Sequence, residues 1–168
     1  MRNIIIILSC CVTLTVLSTG AHAQTVKRLT ILELEAYIKG CDHPLIVDFW
    51  ATFCAPCNKE IPYLQRTADK YRNEKVELLL VSLDLPDYYP SKIAAFAEKS
   101  NYHVSIAWLN ETNADYFCPK IDPRWTGGIP SSLFVNNKTR YRRFFDRQLT
   151  DLQVEQEVKI LVGPAPKL

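Results

Sequence analysis

The segment that most restricts the fold is Leu45-Ile46-Val47-Asp48-Phe49-Trp50, a nearly continuous apolar run that follows Pro44 and leads within a few residues into Cys54-Ala55-Pro56-Cys57. A short apolar run without polar alternation suits a strand covered on both faces, as in a parallel sheet packed between helices. Beyond the cysteines, Ile61, Leu64, Ala68 and Tyr71 recur at helical spacing, so the two thiols fall between a buried strand and a helix. Pro62 is expected to kink that helix.

The flanking sequence extends the same pattern. Thr30-Ile31-Leu32-Glu33 has the form of a capping box and opens a helix that places Ile31, Leu34, Tyr37 and Ile38 on one face up to Gly40. Residues 76–83 form a second apolar run, and the Pro-rich stretch 85–90 breaks regular structure. Ser91 can cap a helix carrying Ile93, Phe96 and Ala97, residues 104–109 read as a third strand, and residues 114–118 as a short helix closed by Pro119. After a loop at 125–130, residues 132–135 and 139–145 flank Asn136-Asn137-Lys138 as a hairpin. A second capping box, Thr150-Asp151-Leu152-Gln153, opens a last helix with Val154, Val158 and Leu161 inward. This order predicts one α/β domain whose mostly parallel sheet ends in an antiparallel hairpin at one edge. The basic residues Lys138, Arg140, Arg142, Arg143 and Arg147 around that hairpin suit a charged edge strand that discourages sheet-to-sheet pairing.

The first residues point to export. Arg2, the apolar stretch 4–17 and Ala21-His22-Ala23 together have the form of a secretory signal peptide over 1–23, leaving a domain over 24–168. A retained anchor is the alternative, but the stretch is shorter than the ~20 residues a spanning helix needs. Lipid attachment at Cys10 is disfavoured by the very short apolar run before it. Cleavage removes Cys10 and Cys11 and leaves Cys41, Cys54, Cys57 and Cys118 where disulfides persist. Cys41 and Cys118 are then candidates for a structural bridge, although spacing does not fix connectivity. There is no second C-x-x-C and no H-x-x-x-H, so no metal-ligand set is expected, and the isolated His43 and His103 read as surface residues. A net charge of +2, from 20 Lys and Arg against 18 Asp and Glu, does not call for nucleic acid.

A thiol at the start of a helix meets unpaired backbone N–H groups and the positive end of the helix dipole, which stabilise the thiolate. Cys54 stands there, and its pKa should fall below the free value of ~8.5. Cys57, a turn deeper, suits a resolving thiol that attacks once Cys54 is in a mixed disulfide. Asp48, set between Val47 and Phe49, should have its pKa raised by burial and could move the proton of Cys57. The structural alternative is an Asp held by a neighbouring hydrogen bond.

The stretch Asp48-Phe49-Trp50-Ala51-Thr52-Phe53-Cys54-Ala55-Pro56-Cys57 resembles the thioredoxin active-site segment, and Asn58-Lys59-Glu60-Ile61-Pro62 is similar to the TlpA/ResA-like branch of exported thioredoxins. The resemblance implies a thioredoxin fold, a central mixed sheet flanked by helices, with the helix that this branch inserts falling between the second and third predicted strands. It also implies a cis-proline at Ile129-Pro130 that faces the disulfide and pairs with an extended substrate, alongside Trp50 and Pro56. Many members of the branch carry Asn in place of Asp48 and an acidic residue after the second strand, a place Asp84 or Asp87 could fill, and Glu60 is a further acid/base candidate. Phe53 replaces the more usual Trp before the first cysteine. The implied activity is reduction of disulfides in exported proteins, c-type apocytochromes among them, by a monomer in the periplasm or cell envelope. The Cys54–Cys57 couple would be its redox group, without a further cofactor, and a membrane partner its electron donor. Three alternatives are weaker on the residues. A disulfide-forming oxidase would carry a His where Ala55-Pro56 stands, a copper-binding module of this fold a C-x-x-x-C, and a peroxidase a Thr or Ser where Ala51 stands. An intact C-x-P-C after a buried acid also argues against a redox-dead interaction domain.

Overall fold

The computed structural model describes residues 25–164; the expected signal peptide, 1–23, lies outside them. In chain order the elements are β1 (Val26–Leu29), α1 (Ile31–Gly40), β2 (Leu45–Trp50), α2 (Ala55–Lys70), β3 (Glu77–Ser82), α3 (Ser91–Lys99), β4 (Ser105–Leu109), α4 (Ala114–Ile121), β5 (Ser131–Asn136), β6 (Tyr141–Phe145) and α5 (Asp151–Leu161). The six strands form one sheet in the order β1-β4-β3-β2-β5-β6. Strands β1 to β4 pair in parallel, while β5 runs antiparallel to β2 and β6 antiparallel to β5, which makes the sheet mixed.

Every residue of β2 is buried, as its unbroken apolar run requires. Alternate side chains point to opposite faces of a strand, so β2 divides its residues between two cores. Ile46 and Trp50 join Leu80, Ile106 and Phe134 under α2, α3 and α5, with Cys57, Ile61, Ile93, Val154 and Val158 supplied by the helices. Leu45, Val47 and Phe49 join Leu79, Val81 and Leu133 under α1 and α4, with Ile31, Leu34, Phe117 and Ile121. Each fully buried aliphatic side chain of this kind contributes about 1.5–3 kcal/mol of transfer free energy. Asp48 shares the pleat of Ile46 and Trp50 and therefore faces α2.

Both capping boxes form, at Thr30 with Glu33 and at Thr150 with Gln153. The structure departs from the sequence reading at four places. Strand β1, absent from that reading, is only four residues long and carries Lys27 and Arg28; pairing with β4 creates it, not an apolar pattern. Helix α2 begins at Ala55, with Pro56 in its first turn where no N–H is missed, and continues through Pro62. Pro119 lies inside α4, which runs on to the buried Ile121. Ser91 is the first residue of α3, whose cap position is Pro90 without a side-chain hydrogen bond. The inserted helix is α3, and it comes with β4, which sits between β1 and β3.

Candidate active site

The chain leaves β2 at Trp50, turns through 51–53 and enters α2 at Cys54, which occupies the cap position. Cys54 and Cys57 are joined in a disulfide with their Cα atoms 5.3 Å apart. The Cys57 N–H donates to Cys54 Sγ at 3.2 Å, so a first-turn amide points at this sulfur. The same donor, with the helix dipole, favours a thiolate at Cys54 when the bond is open. Cys54 retains 6% of its exposure and Cys57 none.

Asp84 holds the turn. Its carboxylate accepts from the Thr52 N–H at 3.0 and 3.2 Å, from Thr52 Oγ1 at 2.7 Å and from Ser82 Oγ at 2.8 Å. Its carbonyl accepts from Trp108 Nε1 at 2.8 Å. The carboxylate is thus committed to the backbone before the cysteines. Asp87, the other acid expected beyond the second strand, is exposed and pairs with Lys92 at 3.2 Å.

Three buried polar residues, Asp48, Glu60 and Ser132, meet between β2, α2 and β5. Glu60 follows Cys57 by one helical turn on the same inward face and is fully buried. Asp48, also fully buried, is the register partner of Ser132 across the β2–β5 pair. Ser132 Oγ donates to Asp48 Oδ1 at 2.9 Å and lies 3.4 Å from Glu60 Oε1. A hydroxyl has one hydrogen, so its second carboxyl contact needs a proton from that carboxyl. Burial raises the Asp48 pKa well above the ordinary carboxylate range and the nearby Glu60 raises it further, against the Ser132 hydrogen bond. Burial pushes Glu60 up to about 7, against the Leu149 amide and Ser132. Asp48 Oδ2 and Glu60 Oε2 are buried without a hydrogen-bond partner, which suits a pair carrying at least one proton better than a pair of anions.

The remaining expected site residues fall in different environments. The Ile129–Pro130 bond is cis, Pro130 is buried and Ile129 packs against the cluster that contains both cysteines. Gly127, at φ 93°, precedes them in a conformation that suits glycine, and a Cβ there would meet Ala114 Cβ at 3.4 Å. Pro56 is exposed beside the disulfide. Trp50 is not a surface contact: it is fully buried, its ring 5.8 Å from Phe96 and 5.7 Å from Tyr102. The exposed apolar side chain next to the cysteines in the chain is instead Phe53, 72% exposed.

Sequence reasoning missed Ser132. Its signal was a pair of hydroxyls, Ser131-Ser132, opening a strand that is otherwise apolar and buried throughout. It also took His43 as isolated, whereas His43 Nε2 lies 3.4 Å from Cys41 Sγ and 2.7 Å from Glu77 Oε2. His103 is exposed and contacts Asp69 at 3.1 Å. Cys41 and Cys118 are both free and buried, so the bridge considered for them is not formed. Cys41 Sγ has His43 as its neighbour, and a Cβ on Gly127 would meet Cys118 Sγ at 3.6 Å.

Residues 20–140 match the AhpC/TSA family. The chain belongs to the AhpC/TSA family. Among curated AhpC/TSA-like relatives, it is 32% identical over 130 residues to the thiol-disulfide oxidoreductase ResA of Geobacillus kaustophilus, covering 73% of this chain and 70% of that protein. Against ResA of Halalkalibacterium halodurans the identity is 20% over 117 residues, and the match spans 70% of this chain and 61% of that relative's length. Among solved structures, the thioredoxin-related protein of Neisseria meningitidis superposes with a TM-score of 0.61 at 22% identity, covering 74% of this chain and 89% of that one. That likeness places this AhpC/TSA member in the thioredoxin fold. No helix among the described residues is long and apolar enough to cross a membrane.

Proposed function

We propose that this chain is a thiol–disulfide oxidoreductase that works as a reductant on disulfides of exported proteins, with the Cys54–Cys57 couple as its redox group and no further cofactor. The observation that carries this reading is the placement of the couple: Cys54 caps α2, and Glu60 of the buried Asp48–Ser132–Glu60 group follows Cys57 by one helical turn. In the reduced protein the Cys54 thiolate attacks a substrate disulfide. The Cys54–substrate bond forms, and the substrate's first sulfur leaves as a thiolate. Cys57 then gives its proton toward the carboxyl pair and attacks Cys54 Sγ, releasing the second substrate thiolate and closing the Cys54–Cys57 bond. Two electrons pass from the dithiol to the substrate.

A carboxyl near pH 7 is the group needed for the second step, because it can both accept and return a proton in the working range. Ala51, where a peroxide-cleaving enzyme would carry a Thr or Ser, supports disulfide rather than peroxide chemistry. Ala55-Pro56 lacks the His of a strong oxidant. The export reading rests on the residues before Gln24, and a reductant in an oxidising compartment requires a membrane partner that passes electrons to it.

The test is trapping with Cys57→Ser together with measurement of the couple's potential. Mixed disulfides at Cys54, reduction of the C-x-x-C-H disulfide of a c-type apocytochrome, and a potential near the ~−270 mV of thioredoxin are expected. A potential near ~−120 mV, with the couple held oxidised in the cell envelope, would make the protein an oxidase instead.

A further inference from the structure

The end of the sheet opposite the disulfide carries a second cluster of reactive side chains. Glu77, the first residue of β3, stands in register with Leu45, and its N–H donates to Pro44 O at 2.9 Å, which brings it beside the α1–β2 connection. Cys41 and His43 lie on that connection. One donor atom from each of Cys41, His43 and Glu77 lies within 4.8 Å of the others, the one such group of three among the described residues. The 3.4 Å from Cys41 Sγ to His43 Nε2 is close to the ~3.5 Å between neighbouring sulfur and nitrogen ligands around a tetrahedral ion with bonds of ~2.3 and ~2.0 Å.

Two outer contacts orient these donors. Asp42 Oδ1 lies 3.1 Å from His43 Nδ1, and Tyr37 OH donates to Glu77 Oε1 at 2.6 Å. A carboxylate on the far ring nitrogen is the usual partner of a metal-bound His, because it fixes the tautomer and turns the other nitrogen's lone pair toward the ion. With the Nδ1 proton directed at Asp42, the Nε2 lone pair and the Glu77 carboxylate face each other at 2.7 Å. That 2.7 Å is a hydrogen-bond distance, held by a proton in the metal-free protein; an ion would take that proton's place, and the adjacent sulfur adds a third donor. Cys41 is buried, and a cavity of about 340 Å³ opens against Tyr37, Cys41 and His43.

We propose that Cys41, His43 and Glu77 form a binding site for a borderline-soft divalent cation, zinc first, with solvent from the cavity as the fourth ligand. Sulfur, nitrogen and oxygen donors in this set suit zinc or cobalt and not calcium or magnesium. Binding replaces the Cys41 thiol proton and the proton held between His43 Nε2 and Glu77, both of which pass to solvent, and no group is oxidised or reduced. The ion ties the α1–β2 connection to the start of β3. It also withholds Cys41 from exchange with the disulfides handled at the other end of β2.

The test is a Co(II) titration of the purified chain with Cys54–Cys57 oxidised. One equivalent should bind with a thiolate-to-cobalt absorption band in the near ultraviolet that zinc displaces, and zinc should raise the melting temperature. Cys41→Ser should lose both responses while keeping its thiol-exchange rate, which shows that it folds. Glu77→Gln and His43→Ala should weaken binding about tenfold or more, and Cys118→Ser should leave it unchanged. Absence of the band, or a band of equal affinity in Cys41→Ser or His43→Ala, overturns the proposal.

Discussion

Ser132 stands directly opposite Asp48 across the β2–β5 pair and donates its single hydroxyl hydrogen to Asp48 Oδ1 at 2.9 Å. This hydrogen bond lowers the Asp48 pKa, although burial and Glu60 raise it further. Ser132→Ala should therefore shift the Asp48 titration upward and destabilise the fold by about 1–3 kcal/mol, the cost of leaving a buried acceptor unpaired. The pH profile of the resolving step, followed by stopped-flow decay of a Cys54 mixed disulfide, should move to higher pH. An unmoved profile would mean that Ser132 does not tune the acid.

Asp48→Asn removes one member of the proton site while keeping its shape. Resolution of the mixed disulfide by Cys57 should slow by about a hundredfold, the lower end of general acid–base effects. The initial attack by Cys54 should change much less, because its thiolate is favoured by the α2 terminus. Single-turnover measurements separate the two steps, and equal loss in both would remove Asp48 from the proton pathway.

Glu60 predicts a pH dependence of stability. Its pKa rises from 4.5 in the unfolded chain to about 7 in the fold. Below pH 4.5 both states hold the proton and the group contributes no difference. As pH rises toward 7 the unfolded chain ionises first, so the fold binds more protons and loses stability. At about 1.4 kcal/mol per unit the loss from this shift is about 3 kcal/mol, complete above pH 7. Urea denaturation of the oxidised protein at successive pH values should show the decline, and Glu60→Gln should flatten it.

Asp84 predicts a different pattern, because its carboxylate is spent on Thr52 and Ser82. Asp84→Ala should leave the buried Ser82 hydroxyl and the half-buried Thr52 N–H and hydroxyl without their acceptor and lower stability by about 2–4 kcal/mol. Thiol exchange should slow as the 51–53 turn loosens, with the shape of its pH profile retained. A changed profile would return Asp84 to the acid/base role considered for it from sequence.

The sequence carried the strands and helices that have strong periodic signals, and both capping boxes appear as read. What it lacked was partnership across distance. β1 is four residues with two charges, and only its alignment with β4 makes it a strand. Cys54 and Cys57 are legible because their spacing is local. The Asp48–Ser132–Glu60 site joins a strand, a facing strand and a helix, with Asp48 and Ser132 84 positions apart, and such a site shows only as three polar residues in apolar surroundings. Trp50 misled for the opposite reason: proximity in sequence to the cysteines suggested a surface role, but its place on the pleat sends it into the core.

The burial of Cys57 beside a partly open Cys54 also constrains kinetics. Whatever reloads the couple with electrons and whatever receives them must approach through the same sulfur, Cys54, since Cys57 offers no exposed surface. On the proposed function, donor and acceptor would therefore exclude one another, and turnover should follow a ping-pong cycle with parallel lines in double-reciprocal plots. A single outer face that serves two partners in turn would favour contacts through backbone and small apolar groups over a tightly fitted pocket.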